Sequence, residues 1–318
     1  MSDDQANPIH VRGLRKQYGP SLILQGVDLD VRPGEVFALL GPNGAGKTTT
    51  VEILEGVRRR SGGDVRVLGR DPAEDAPQWR ARLGIVPQTT GAYADLTVRE
   101  VVEHFAAFYP APLPAAQVID MVGLGAKERK QAQTLSGGQM RRLDVAVGVV
   151  GDPDLIFLDE PTTGLDPEAR MEAWDLVRFF ADQGRTTVLT THYLDEVEAL
   201  AQRAAVIVAG RIVETGPVSE LGGRRDTPAA VSFTLTPELS AAELPDLPPG
   251  TALDPSCAPG VPGGTLTLLT HTPTRALAAL LPWAARAGAD ELPDLRVHRP
   301  TLEDVYLKLI RENQGAQS

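Results

Sequence analysis

Apolar positions along this chain follow two periods in turn. Val27, Leu29 and Val31 alternate with Asp28, Asp30 and Arg32, so Ile9 to Val31 reads as short strands and turns, closed by Pro33-Gly34. Val36 to Leu40 is an unbroken apolar run, and Thr49 to Leu54 is helix-compatible. Val65 to Gly69 reads as a strand and turn, and Leu83 to Val86 as an apolar strand ending at Pro87-Gln88. The period then becomes helical. Thr97 is an N-cap, Glu100 completes a capping box, and Val98, Val101, Val102, Phe105 and Phe108 share one face of a helix running to Tyr109. Pro110 and Pro112 stop it, and Val118 to Leu124 continues the helical character. A helical subdomain of about 89–150 is therefore inserted in a strand-and-helix core. It ends with a helix over Met140 to Val150.

The strand period returns at Leu155 to Leu158 and at Thr186 to Thr191, the second strand ending at His192. A helix over Asp195 to Gln202 and a hairpin over Ala205 to Val208 and Arg211 to Val213 follow. Composition shifts near Leu221, and 222–228 reads as a linker. Beyond it lie strands at Val231 to Leu235, Thr265 to Leu269 and Leu295 to His298. A helix starts at Thr272 with Pro273 in its first position, and Pro282 kinks or ends it. The last helix, Thr301 to Glu312, opens with Thr301 and Asp304 in capping-box spacing. The expected division is 1–222 and a small α+β domain at 223–318, with 244–264 as Pro- and Gly-rich loop. The second domain has no cysteine–histidine cluster and no glycine-rich cradle, so no chemistry is assigned to it.

Composition narrows the partners. The apolar fraction of 42% and charged fraction of 23% are those of a soluble globular protein. A net charge of −11 argues against broad nucleic-acid binding. The single cysteine, Cys257, excludes an intrachain disulfide and fits a reducing compartment. The N-terminal stretch to His10 is acidic and polar, unlike a secretory signal, and no apolar run reaches the ~18 residues of a membrane span.

Chemistry enters at Gly41 to Thr50. Gly41, Gly46, Lys47 and Thr48 occupy the fixed positions of G-x-x-x-x-G-K-T between a strand and a helix. Backbone N–H groups of Pro42-Asn43-Gly44-Ala45 and their neighbours would converge on a polyphosphate at the positive end of the helix, proline supplying none. Lys47 reaches outer phosphates and the Thr48 hydroxyl ligates Mg²⁺. A second potential anion cradle lies at Leu135-Ser136-Gly137-Gly138-Gln139, where a helix begins; read alone, Ser136 is better taken as a simple N-cap. Two cradles either converge on one nucleotide or are shared between two copies of the chain. Asp159 and Glu160 end a buried strand, the place where open parallel sheets carry their sites. Asp159 would hold Mg²⁺, and Glu160 would orient or deprotonate water. Tyr18 is either a half-buried surface tyrosine or a ring that stacks on a base. His192 is either a satisfied polar residue or part of the site.

The order Gly41–Thr48, Gln88, LSGGQ, LIFLDE, Gly164-Leu165-Asp166-Pro167 and His192 resembles that of ABC transporter ATP-binding subunits over roughly residues 9–222. Pro300 to Leu309, PTLEDVYLKL, is similar to the end of drug-resistance-type ABC exporter subunits. The resemblance implies a P-loop NTPase of the ABC ATPase type: an α/β fold with an antiparallel β subdomain, an inserted helical subdomain and a small C-terminal α+β domain. It implies an ATPase that uses ATP and Mg²⁺ and drives a transporter. Tyr18 is implied to stack on adenine, Gly41 to Thr49 to hold the phosphates, and Thr48, Gln88 and Asp159 to face Mg²⁺. Gln88 is further implied to signal to a membrane partner. Glu160 is implied to be the general base, His192 to contact the γ-phosphate, and Lys47 to act with them. Ser136, Gly137, Gly138 and Gln139 are implied to close over ATP held by a second copy, with Asp166 at the seam of a head-to-tail homodimer. The implied location is cytoplasmic, on the inner face of the cell membrane against a separate permease, with no nucleic acid. Met140, where a basic residue is common, and Gly148, read as interrupting the next helix, depart from the pattern without touching a named role. Importer motors, non-transport ATPases acting on DNA or ribosomes, and a non-hydrolysing binder are the other readings. The C-terminal tail, the acidic balance and the joint presence of Lys47, Asp159 and Glu160 weigh against them.

Overall fold

The computed structural model describes residues 7–74, 76–88, 93, 95–224, 226–255, 257, 261 and 263–314. Parts of the expected N-terminal stretch, of the helical subdomain's first residues, of the linker and of the 244–264 loop lie outside these. Backbone contacts divide the chain into two compact units. Residues up to Leu221, together with those from Leu309 onward, form the first, and Gly222–Lys308 forms the second.

The first unit opens with strands β1 (Ile9–Tyr18) and β2 (Ser21–Val31), then β3 (Val36–Leu40), helix α1 (Lys47–Leu54), β4 (Gly62–Val67), α2 (Pro77–Arg80) and β5 (Leu83–Val86). Helices α3 (Val98–Ala106), α4 (Ala115–Met121) and α5 (Gly137–Val149) follow. Then come β6 (Leu155–Asp159), α6 (Pro167–Asp182), β7 (Thr186–Thr191), α7 (Leu194–Leu200), β8 (Arg203–Val208) and β9 (Arg211–Pro217). Strands β1, β2 and β4 form an antiparallel sheet in the order β2-β1-β4. A larger sheet has the order β5-β6-β7-β3-β8-β9, parallel except for β9 on its edge.

Sequence explains the contrast. β3 and β6 are buried at every residue, as strands covered on both faces must be. In β2 the apolar Val27, Leu29 and Val31 are buried, while Asp28 is exposed and Asp30 half-buried. One apolar core, including Ile9, Val31, Phe37, Leu54, Trp79 and Phe157, joins the two sheets. At sheet centre, β3 and β6 both pair with β7, so the segments leaving their C-terminal ends are neighbours.

The three helices α3, α4 and α5 pack on one another and form the helical insertion. Thr97 caps α3 through the full capping box with Glu100. Val98, Val101 and Val102 are buried, but the helix ends at Ala106, and Phe108 beyond it is 71% exposed. Gly148 does not interrupt α5. A Cβ there would stand 2.6 Å from Val86 Cγ2, so the glycine lets the helix lie close against β5.

The second unit contains β10 (Ala229–Thr234), α8 (Pro237–Ala241), β11 (Ala252–Leu253), β12 (Thr265–Thr270), α9 (Pro273–Arg286), β13 (Arg296–His298) and the start of α10 (Leu302–Gln314). Its sheet order is β11-β12-β10-β13, all antiparallel. β11 is a short strand inside the stretch expected to be loop. Pro282 does not end α9, which runs on to Arg286. Leu280, Trp283 and Ala284 anchor that last turn in a core with Val231, Phe233 and Leu268. The Trp283 indole also donates to Glu243 O at 2.7 Å. The Thr301–Asp304 capping box is formed in both directions.

Candidate nucleotide site

The loop between β3 and α1 is built for a ligand that needs bare backbone. Gly46 precedes α1 with φ 107°, a left-handed value that favours glycine. A Cβ on Gly41 would stand 2.4 Å from Ile207 O, and one on Gly46 would stand 2.7 Å from Leu24 Cδ2. Both positions therefore exclude a side chain. Ala45 is buried, while Asn43, Gly44 and Thr48 are exposed and Pro42 and Thr49 half-buried.

An open cleft of about 460 Å³ lies over this loop. Tyr18, Ile23, Asn43, Gly44, Gly46, Lys47, Thr48, Thr49, Gln88 and Glu160 line it. Four separate segments thus meet: the β1–β2 turn, the phosphate loop, the end of β5 and the end of β6. Tyr18 is 41% exposed there, with Lys16 Nζ 4.6 Å from the ring centroid and its hydroxyl bonded by Arg58.

Lys47 is buried and donates to Gly41 O at 2.9 Å and Pro42 O at 3.4 Å. Its ammonium stands 3.7 Å from Glu160 Oε1. Burial draws its pKa below the usual lysine value, against the opposing pull of Glu160 and Asp159. Glu160 sits at φ 44°, an uncommon conformation for a residue with a side chain. Its N–H donates to both Thr190 O and Thr190 Oγ1, which fix that turn. Its Oε2 accepts from Gln88 Nε2 and Thr163 Oγ1, each at 3.1 Å. His192 Nδ1 lies 3.3 Å from Oε1, within ion-pair range but making no hydrogen bond.

Asp159 is beside this cleft and not among the residues lining it. It is buried, accepts from the Thr190 hydroxyl, and burial raises its pKa. Thr48, Gln88 and Asp159 offer a hydroxyl, an amide oxygen and a carboxylate, the hard oxygen donors that Mg²⁺ takes. Among the described residues no group of three or more histidine, cysteine or carboxylate side chains could hold a metal ion.

Ser136, Gly137, Gly138 and Gln139 are not among the residues lining this cleft. Ser136 caps α5 with a complete capping box to Gln139. Ser136 and Gly137 are exposed, Gly138 and Gln139 half-buried. Asp166 caps α6 by accepting from Ala169 N at 2.8 Å.

Sequence reasoning missed Thr190, Thr163 and Ile23. Thr190 lies in a run of threonines that reads only as strand, and nothing local marks it as the residue that holds both Asp159 and Glu160.

Comparison with known proteins fits this geometry. The ABC transporter family matches residues 24–163, and an ABC transporter domain-containing protein-like C-terminal domain matches residues 229–301. The chain is 36% identical to the Nod factor export ATP-binding protein I of Cupriavidus metallidurans over 319 aligned positions, covering 95% of this chain and 96% of the relative. It is 42% identical to the daunorubicin/doxorubicin resistance ATP-binding protein DrrA of Streptomyces peucetius, covering 70% of this chain and 68% of the relative. A solved ATP-binding subunit of an ABC transporter superposes with a TM-score of 0.61 at 25% identity, covering 69% of this chain and 92% of that one. The chain belongs to the ABC transporter family. It is an ATP-binding subunit of that family: ATP hydrolysis is its reaction, with Mg²⁺ the partner of the nucleotide. The solved ATP-binding cassette MJ0796, which shares the fold with a TM-score of 0.59 at 23% identity and covers 66% of this chain and 98% of that one, is described as a dimer in a post-hydrolysis state with ADP and Pi. Among the described residues no helix is long and apolar enough to cross a membrane.

Proposed function

We propose that this chain is the motor of an exporter, working as a head-to-tail homodimer against a separate permease on the inner, cytoplasmic face of the cell membrane. The exporter reading rests on relatives named for Nod factor export and for daunorubicin resistance. Residues 1–222 would form the ATP-binding domain and 223–318 an accessory domain. No nucleic acid takes part.

The observation that carries the dimer is the composition of the cleft. Its described lining supplies one side of a nucleotide site, and Ser136–Gln139 of the same chain is not part of it. That cradle would close over ATP held by the other copy. Tyr18 would stack on adenine, and the Gly41–Thr49 backbone would hold the phosphates. Mg²⁺, held by Thr48, Gln88 and Asp159, would supply charge neutralisation at the phosphate oxygens. Glu160 would take the proton of the attacking water, with Gln88 and Thr163 holding one oxygen and leaving the other toward Lys47 and His192. Lys47 would donate to the outer phosphates and His192 to the γ-phosphate. A site gripped from both sides favours the closed dimer, and loss of the γ-phosphate removes that preference.

The test is the size of the Glu160→Gln chain with and without ATP, by gel filtration with light scattering. A stable dimer that appears only with ATP is expected; a monomer under both conditions sinks the shared site.

A further inference from the structure

Helix α5, whose N-terminus is the Ser136–Gln139 cradle, carries two buried polar residues one turn apart, Arg141 and Asp144. The Arg141 guanidinium spreads its donors over three carbonyls from other segments. Nη1 reaches Pro87 O at 2.5 Å, Nη2 reaches Asp159 O at 3.1 Å, and Nε reaches Pro161 O at 2.9 Å. The first of these immediately precedes Gln88; the other two flank Glu160. Asp144 accepts from the hydroxyl of Tyr93, which follows Gln88 in the chain. One helix therefore holds the residue before Gln88 and also Tyr93, five positions after it. Buried charge needs such compensation: the guanidinium is satisfied by fixed carbonyls and by the fields of Asp144, Asp159 and Glu196.

The close approach of α5 to β5 at Gly148 needs no such fork. The fork selects the backbone that carries Gln88 and Glu160, the two residues bonded to each other in the cleft. In a shared-site dimer these two face one ATP, while Ser136–Gln139 of the same chain faces the other. We propose that Arg141 and Asp144 are positioning residues that join the Gln88 segment and the Ser136–Gln139 cradle into one mechanical piece, so that occupancy of one nucleotide site sets the geometry this chain offers to the other. The proposal rests on the shared-site reading. It assigns cooperativity between the sites to two side chains that touch neither nucleotide.

Two full-length variants test it. Tyr93→Phe removes a hydroxyl and keeps the ring, whose centroid lies 6.0 Å from that of Phe105. Arg141→Lys keeps the charge and removes the fork. Phosphate release is followed against ATP concentration, together with affinity for a fluorescent ATP analogue, melting temperature, and ATP-dependent dimerisation in the Glu160→Gln background. The wild type is expected to respond sigmoidally. Both variants are expected to bind the analogue within about twofold of wild type and still dimerise. Their ATP dependence is expected to become hyperbolic, with the maximal rate lowered about fivefold or more. Wild-type rate and sigmoidal shape in both variants would overturn the proposal. So would a rate loss that merely follows the loss of folded protein with the shape unchanged, or a wild-type dimer with hyperbolic dependence. A Glu160→Gln chain that stays monomeric with ATP would instead overturn the shared-site reading beneath it.

Discussion

Lys47 Nζ and Glu160 Oε1 stand 3.7 Å apart, with Lys47 buried and Glu160 only 12% exposed at its side chain. The cation that would neutralise phosphate and the carboxylate that would receive a proton share one wall of the cleft. Each holds the other in place before any ligand arrives. Replacing Glu160 by Gln keeps an acceptor for Gln88 and Thr163 but removes the base. Phosphate release is expected to fall by about 10²–10⁴, the usual contribution of general base catalysis, while nucleotide affinity is kept. Turnover within tenfold of wild type, measured with a phosphate sensor, would assign the proton to another group.

Glu55 ends α1 behind the phosphate loop and is 7% exposed. Burial, with smaller repulsion from Asp159 and Glu52, raises its pKa to about 8. The folded chain therefore keeps a proton that the unfolded chain releases. Its stability is fully present below the ordinary carboxylate pKa and is lost as pH rises toward about 8. The loss attributable to this residue is on the order of 3–5 kcal/mol. Glu55→Gln, which cannot ionise, is expected to flatten the decline in urea-unfolding stability between about pH 5 and about pH 8. An identical decline in the variant would show that other groups set the slope.

Gly148 lies where α5 approaches β5, and an added Cβ would meet Val86 Cγ2 at 2.6 Å and Ile85 O at 3.2 Å. Gly148→Ala gains helix propensity but overpacks this contact, and a net destabilisation of about 1–3 kcal/mol is expected. Chemical denaturation measures it. An increase in stability would mean that the helix can shift away from the strand at no cost.

Much of the first unit was legible because its signals are local. The buried runs of β3 and β6, the Thr97–Glu100 capping box and the glycines of the phosphate loop each declare themselves within a few residues. What failed depended on tertiary packing. Pro282 reads as a helix stop, yet Trp283 and Leu280 keep the following turn seated in the core. Gly148 reads as a helix breaker until β5 is placed against it. Phe108 fits the apolar stripe of α3 in sequence, but the helix has already ended. The site followed the same rule. Lys47, Gln88 and Glu160 carry their chemistry in their motifs, whereas Thr190 and the Arg141 fork act only across segments far apart in the chain.

The shared site is tested most directly by mixing two inactive chains. Lys47→Ala disables the phosphate loop and leaves the Ser136–Gln139 cradle intact. Gly137→Glu disables the cradle in the exposed position where a Cβ meets nothing within 4 Å, so the fold of the single chain is left alone. In a head-to-tail dimer of one copy of each, the phosphate loop of the second chain meets the cradle of the first and one complete site is rebuilt. The mixture is predicted to release phosphate from ATP although neither chain does so alone. A mixture as inactive as its parts, with both variants folded and the Gly137→Glu chain still binding nucleotide, would contradict the shared site.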